Sequence, residues 1–318
     1  MSQKVVFLGT PRFAVPTLEA TLAAGHEVAA VYTQPDRPKG RGQALALSPV
    51  KEAALRLGLR ICQPERIRRP EVVEEIAGFG ADAMVVVGYG QIIPQAIIDL
   101  PPLGIVNVHA SLLPRWRGAA PIQWSIAAGD TTTGVTTMLI NAGLDTGDIL
   151  LRSEASIGVE ENSVELNARL SVTGANLLIE TLELLEKGIC PRTPQIDADA
   201  TLAKILRKED GLINWRSSAR EISNRSRGFL PWPGAWTSFR GQRFNLWKCR
   251  PVPSTEWMVG ESLPPGLMHA IGKRLLAGTG SGVLELLEVQ LEGRNRVPVA
   301  AFMNGTRLSG DDMLGERQ

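Results

Sequence analysis

The chain of 318 residues has only three cysteines and three histidines, and it lacks a long apolar run. Its three cysteines, Cys62, Cys190 and Cys249, lie far apart without a CxxC pair, which disfavours a disulfide framework and a cysteine zinc site. The three histidines have no metal-ligand spacing, so we expect no metal. No run approaches 18 apolar residues, so we expect no membrane span or membrane partner.

Secretion signals and common nucleotide-binding motifs are also missing from the sequence. The first residues, MSQKVVFLG, lead directly into a strand-like segment without the apolar region of a signal peptide. Together with the low cysteine content, this start predicts a cytoplasmic protein. No GxxxxGK[ST] occurs, and the sequence from Gly88 to Gly90 lacks the third glycine of GxGxxG. A P-loop enzyme and a dinucleotide dehydrogenase are therefore disfavoured.

Charge is distributed unevenly, although the formal net charge is only +1. Residues 1–200 contain 17 Lys and Arg against 22 Asp and Glu, whereas residues 201–250 contain 11 against 3. A basic segment of this size indicates a polyanionic partner such as a nucleic acid. A solvated surface that is merely rich in arginine is the alternative interpretation.

Short apolar runs alternate with amphipathic stretches over the first half of the chain. Strands are predicted at residues 5–9, 27–33, 59–62, 83–87, 105–108, 136–140 and 149–153. Helices are predicted at residues 16–24, 49–57 and 71–77, and again from a capping box at Asn162 and Glu165 to Gly188. This order predicts an α/β fold with a Rossmann-like, doubly wound, mostly parallel sheet.

The second part of the chain has a different pattern. After about residue 206, short β-like pieces are punctuated by Gly and Pro, and five of the seven tryptophans occur there. This pattern predicts a small, OB-like β-barrel. We therefore expect a catalytic domain at residues 1–189, a linker at 190–207 and a β-barrel domain at 208–318.

Three polar residues form the best candidate for chemistry. Asn107 and His109 lie two positions apart in a predicted strand, so their side chains share a face at its carboxyl end, where open α/β sheets bind ligands. Asp145, flanked by glycines in GLDTG, can return a carboxylate to that edge. An amide that binds an oxyanion, a histidine that donates a proton and an orienting aspartate suit direct attack by a substrate's own nucleophile. A purely structural histidine is the alternative.

These residues lie in motifs that resemble the formyltransferases that use 10-formyltetrahydrofolate, and in particular the methionyl-tRNA formyltransferase family. The motifs cover nearly the whole chain: FLGTPRFAVP (7–16), TQPDRPKGRG (33–42), SPVK (48–51), LPRWRGAAPIQ (113–123), GLDTGDI (143–149) and FLPWPGAW (229–236). The resemblance implies formyl transfer from 10-formyltetrahydrofolate to the α-amine of initiator methionyl-tRNA, with Asn107, His109 and Asp145 as catalytic residues.

The resemblance also implies binding residues for both substrates, and we expect a monomeric enzyme. The folate slot would comprise Gly88, Tyr89, Gly90, Ile92, Ser111, Leu112, Leu113 and Pro114. The basic loop with Arg37, Lys39 and Arg41 would enter the acceptor-stem end of the tRNA, and Lys204, Arg207 and Lys208 would add contacts. Two other functions stay open: a formyltransferase that acts on a sugar nucleotide or another small amine, and a non-catalytic RNA-binding protein.

Overall fold

The computed structural model describes residues 2–39, 44–253, 256 and 263–315, which form two compact units. Unit 1 comprises residues 1–121, 132–156 and 167–204, and unit 2 comprises residues 122–131, 157–166 and 205–318. Residues 190–204, predicted as most of a linker, belong to unit 1. The division into domains at 1–189 and 208–318 stays a prediction. In the described part of the chain, no helix has the length and apolar character needed to cross a membrane.

Unit 1 contains eleven strands among its described residues, most of them in one sheet. They are β1 (Lys4–Gly9), β2 (Glu27–Tyr32), β3 (Arg37–Lys39), β4 (Ala44–Ala46), β5 (Ile61–Cys62), β6 (Ala83–Val87), β7 (Ile105–His109), β8 (Arg117–Gly118), β9 (Thr132–Leu139), β10 (Ile149–Ser156) and β11 (Leu202–Ala203). The large sheet has the order β10-β9-β7-β6-β1-β2-β5. β3 and β4 form a separate hairpin, and β8 pairs with β11 in parallel.

The helices follow the strands in the order that the sequence predicts, with additions. They are α1 (Val15–Ala23), α2 (Pro49–Arg56), α3 (Pro70–Gly78), α4 (Gln95–Ile98), α5 (Pro121–Ala128), α6 (Ser163–Glu186), α7 (Ala219–Gly228) and α8 (Val299–Gly305). The predicted capping box of α6 is confirmed, because Asn162 Oδ1 accepts from the Glu165 amide at 3.2 Å and Glu165 Oε2 accepts from the Asn162 amide at 3.0 Å. Helices α4, α5, α7 and α8 were not predicted.

The predicted Rossmann-like, mostly parallel sheet is confirmed. β7, β6, β1, β2 and β5 run parallel, and all residues of β6 and β7 are buried, as expected for strands covered on both faces. β9 and β10 were predicted as strands, but the antiparallel pairing of β9 with both β7 and β10 was not. The strand order reverses next to β1, so the carboxyl ends of β1, β6 and β7 form one edge, where such folds bind ligands.

Unit 2 has an antiparallel sheet around an aromatic core, which confirms a β-rich second domain. Its strands are β12 (Ala235–Phe239), β13 (Gln242–Pro251), β14 (Met268–Ile271), β15 (Arg274–Gly278), β16 (Val283–Leu291) and β17 (Val297–Pro298). They pair in the order β12-β13-β16-β15-β14, with β17 on β16. Phe239, Phe244 and Phe302 meet edge-to-face with ring centroids 5.3–6.0 Å apart. The fold therefore has one α/β unit and one antiparallel β unit.

Candidate active site

Asn107 and His109 lie on one face at the carboxyl end of β7. The strand is a buried run, and the period of two in an extended chain places both polar side chains on the same side. Asn107 is 8% exposed and His109 is 6% exposed. Buried polar groups are stable only when hydrogen-bonded, so the partners of these two side chains define the site.

The Asp145 carboxylate brings the two side chains together, as the sequence predicts. Oδ1 accepts a hydrogen bond from Asn107 Nδ2 at 3.3 Å, and Oδ2 lies 3.7 Å from His109 Nδ1. Oδ2 also accepts from the Gly118 backbone amide at 2.8 Å. Asp145 has a φ of +50°, a left-handed conformation in which Asp is several-fold enriched among non-glycine residues. The chain turn after β9 thus aims the carboxylate at β7.

The segment after β7 closes the site from the other side of the imidazole. His109 Nε2 donates to the Trp116 carbonyl oxygen at 2.9 Å, which requires a hydrogen on that nitrogen because a carbonyl only accepts. Trp116 also has a left-handed backbone, with φ of +64°. Both ring nitrogens of His109 therefore face oxygen acceptors. These two acceptors fix the orientation of the ring.

The predicted folate segment after β6 presents main chain rather than side chains. Gly88 and Gly90 have φ values of +58° and +87°, which a glycine adopts without strain. The Tyr89 side chain is buried among core residues, and burial raises its pKa. The Tyr89 carbonyl accepts hydrogen bonds from Thr10 Oγ1 and from Nε2 of Gln34, which follows β2. The Ile92 side chain is 90% exposed and available to a ligand.

The second predicted folate segment, Ser111 to Pro114, lies directly after the catalytic strand. The Ser111 hydroxyl is buried and donates to the Arg115 carbonyl at 2.6 Å. Leu112, Leu113 and Pro114 line a cavity of about 420 Å³ within unit 1. The same cavity is lined by residues from β10 and from the segment 193–199. The sequence predicts this stretch as folate-binding, and its role stays a prediction.

The predicted tRNA contacts are basic residues of both units, and each is described within its own unit. In unit 1, Arg37 is exposed at the start of the β3–β4 hairpin, Lys39 ends β3, and Lys204 is exposed after β11. Arg41 lies outside the described residues. In unit 2, Arg207 and Lys208 are exposed, and Lys208 Nζ lies 5.9 Å from the centre of the Trp236 ring.

Sequence reasoning missed the main-chain groups of residues 116–118 and the side chain of Gln195. The Trp116 carbonyl and the Gly118 amide contact His109 and Asp145, but no side-chain pattern marks a backbone contact. Gln195 Nε2 donates to the Asp145 and Gly147 carbonyls, both at 2.8 Å. Gln195 lies in a predicted linker, 50 residues after Asp145, so no local sequence pattern connects the two residues.

Comparison with known proteins identifies the family of the chain. The formyl transferase family model matches residues 3–182, and the model of the formyl transferase C-terminal domain matches residues 205–307. A methionyl-tRNA formyltransferase of Solibacter usitatus is 61% identical over 313 residues, which cover 98% of this chain and 99% of that protein. The chain belongs to the methionyl-tRNA formyltransferase family. It is therefore a formyltransferase, as the sequence motifs predict.

Other members and solved structures agree with this family membership. The methionyl-tRNA formyltransferase of Koribacter versatilis is 56% identical, covering 98% of this chain and 98% of that protein. An N-formyltransferase from Helicobacter canadensis, solved with folinic acid and dTDP-3-aminofucose, has a TM-score of 0.64 at 16% identity. It covers 90% of this chain and 98% of its own. At that identity the solved structure establishes the formyltransferase fold alone.

Proposed function

We propose that this formyltransferase moves the formyl group of 10-formyltetrahydrofolate to the α-amino group of methionine on initiator tRNA. The product, N-formylmethionyl-tRNA, would serve translation initiation in the cytoplasm. The observation that carries the proposal is the Asp145 carboxylate, which accepts from Asn107 and faces His109 at 3.7 Å. Family membership supports the reaction type and the tRNA acceptor.

Direct attack by the acceptor amine fits this set of side chains, which offers no serine or cysteine nucleophile. Free α-amines have a pKa of about 7.7–8.0, and an ester lowers it, so the amine is largely neutral near pH 7. It attacks the formyl carbon, and the formyl oxygen becomes an oxyanion. Asn107 donates to that oxyanion through the amide hydrogen that Asp145 does not use.

Breakdown of the tetrahedral intermediate needs a proton at the leaving nitrogen. His109 Nε2, which donates to the Trp116 carbonyl in this structure, gives that proton to N10 instead as the bond between N10 and the formyl carbon breaks, which releases tetrahydrofolate. The attacking amine gives up one proton, which returns the imidazole to its starting state. Asp145 stabilises the positive charge of the ring through Oδ2, and the Gly118 amide keeps that oxygen in place. All steps are transfers of groups and protons, without a redox change.

The substrates would be held by the segments that flank this site. Main-chain groups of Gly88, Tyr89 and Gly90, with the exposed side chain of Ile92, would bind the pterin. Residues 111–114 would lie beside the formyl donor. The tRNA would be bound by the basic hairpin of unit 1, with Arg37, Lys39 and Arg41, and by Lys204, Arg207 and Lys208. Residues 208–318, which begin with Lys208, would form a tRNA-binding domain.

Release of tetrahydrofolate from 10-formyltetrahydrofolate tests the proposed function directly. The assay compares three acceptors: methionyl-tRNA, uncharged initiator tRNA and an amino-sugar nucleotide. We expect release only with methionyl-tRNA, together with formylmethionyl-tRNA in equal amount. Release with the sugar nucleotide alone would indicate a small-molecule formyltransferase. Binding of tRNA without any release would indicate a non-catalytic protein.

A further inference from the structure

One side chain spans the turn that carries Asp145. The Gln195 amide nitrogen donates to the Asp145 carbonyl and to the Gly147 carbonyl, each at 2.8 Å. A side-chain amide has two hydrogens on its nitrogen, so both are used on this turn. Because the two carbonyls lie on either side of Thr146, the amide fixes the turn at two points.

Gln195 is itself oriented by Arg117. Arg117 Nε donates to Gln195 Oε1 at 3.0 Å, which assigns the amide oxygen and nitrogen without ambiguity. Arg117 is 7% exposed, and its Nη1 also donates to Asp197 Oδ1 at 2.9 Å. The two neighbours of Arg117 in the chain are Trp116, whose carbonyl holds His109, and Gly118, whose amide holds Asp145. Arg117 and Gln195 therefore link both sides of the candidate active site.

The backbone around Gln195 is anchored to the same unit by main-chain hydrogen bonds. Thr193 and Ile149 exchange two hydrogen bonds of 2.9 Å at the start of β10. Thr201 accepts from the Arg117 amide at 2.9 Å and from the Trp116 amide at 2.9 Å, and β11 pairs with β8. Gln195 lies between these anchors, so its amide is presented to the turn from a fixed backbone.

The backbone conformation of Asp145 explains why the two hydrogen bonds from Gln195 matter. A left-handed backbone at a residue with a Cβ persists only where its surroundings enforce it. We propose that Gln195 is a positioning residue that holds Asp145 at its φ of +50°, so that the carboxylate faces Asn107 and His109. The proposal rests on the proposed function, since it assigns Gln195 a part in that reaction through Asp145.

A purely structural role for Gln195 makes a different prediction. If Gln195 only satisfied the Asp145 and Gly147 carbonyls, its loss would lower stability without a specific effect on turnover. If it positions Asp145, its loss lowers kcat and leaves substrate KM nearly unchanged, because misplacement of a catalytic group reduces the rate of the bound complex.

The test replaces Gln195 by methionine, which keeps the length of the side chain and removes its two hydrogen bonds to the turn and the one that it accepts from Arg117. We expect kcat for methionyl-tRNA formylation to fall about tenfold, with both KM values within about twofold of wild type. In an Asp145→Asn background the same change should have no further effect on kcat, because the two residues act as a unit. The matched control is Gln3→Met, since Gln3 is buried in unit 1 and donates to the Leu182 carbonyl at 2.9 Å.

A second readout needs no acceptor and separates this inference from the proposed function. The ring-nitrogen NMR resonances of His109 should move in Gln195→Met and stay in place in Gln3→Met. An unchanged kcat in an active enzyme, an equal loss of kcat in the Asp145→Asn background, or unmoved His109 resonances would each overturn the inference. Absence of methionyl-tRNA formylation in the wild type, with moved His109 resonances, would overturn the proposed acceptor instead.

Discussion

Two residues of the candidate active site have a backbone conformation that residues with a Cβ rarely adopt. Asp145 and Trp116 have φ values of +50° and +64°. Each contacts the imidazole of His109, Asp145 through its carboxylate and Trp116 through its carbonyl. Unusual backbone geometry costs about 1–3 kcal/mol and concentrates at functional sites. Here it directs two acceptors at opposite nitrogens of one ring.

Two substitutions of Asp145 distinguish the effect of its charge from the effect of its backbone conformation. Asn tolerates a left-handed backbone, so Asp145→Asn should fold like wild type but lose the negative charge beside His109. We expect kcat to fall about 10²-fold or more. Asp145→Ala should lose activity similarly and also destabilise unit 1 by about 1 kcal/mol, because alanine is strained at positive φ. Steady-state kinetics and urea denaturation of both variants measure the two effects.

Steady-state kinetics of alanine variants test the other two residues of the site. Asn107→Ala removes an oxyanion donor, and His109→Ala removes the proton donor, so each should lower kcat by about 10²-fold or more. A folded His109→Ala protein with near-normal kcat would refute the catalytic assignment.

At the scale of elements, the β3–β4 hairpin is fixed at its base by partly buried polar contacts. The Asp36 carboxylate accepts from Lys51 Nζ at 2.5 Å and from Gln63 Nε2 at 2.9 Å. The Lys51 and Gln63 hydrogen bonds hold the pKa of Asp36 below its ordinary value, so the pair stays charged at neutral pH and is lost only as pH falls through that lowered pKa. Asp36 directly precedes Arg37, so this contact orients the start of the basic hairpin.

Removal of the anchor should weaken tRNA recognition without touching the chemistry. In Lys51→Met we expect the KM for methionyl-tRNA to rise several-fold, about 3–10, while kcat and the KM for folate change little. Lys4→Met is the control, since it removes an exposed ion pair of 3.4 Å with Glu27 elsewhere in unit 1. An equal rise in the tRNA KM in both variants would show that general loss of charge, not hairpin position, causes the effect.

At the scale of the whole molecule, part of the basic charge of residues 201–250 is neutralised within unit 2. Arg240 binds Asp312 at 2.8 Å, and Arg250 binds the buried carboxylate of Glu285 at 2.8 Å. The hydrogen bonds from Arg240 hold the pKa of Asp312 below its ordinary value. The net charge of residues 201–250 therefore overstates the positive charge that is available to bind phosphates.

Salt dependence should distinguish basic residues that bind RNA from those with internal partners. In Arg41→Ala the slope of log Kd for tRNA against log salt should decrease by about one unit, as for one lost phosphate contact. In Arg240→Ala the slope should stay at the wild-type value, while unit 2 becomes less stable because Asp312 loses its partner. Filter binding at several salt concentrations measures the slopes. A wild-type slope for Arg41→Ala would favour a small-molecule acceptor.

The sequence by itself determined the fold class and the residue types of the site. Buried β-branched runs separated by amphipathic stretches are compatible with few folds other than a layered α/β sheet. The local pattern was therefore enough to predict strands β1, β2, β6 and β7. The pair Asn107 and His109 followed from the period of two in a strand, and Asp145 from a carboxylate between glycines. The family motifs added the reaction, because long runs of matching residues are specific in a way that composition is not.

Only the tertiary structure decided which distant groups meet. Three features depend on which chain segments pack together: the antiparallel pairing of β9 with its neighbours, the contact of the Trp116 carbonyl with His109, and the contact of the Gln195 amide with the Asp145 carbonyl. Every residue except proline carries the same backbone N–H and C=O groups, so a backbone contact leaves no mark in the sequence. A single glutamine in a polar stretch has no periodicity either. The pairing of β8 with β11 joins residues more than 80 positions apart, and this pairing brings Gln195 to the site.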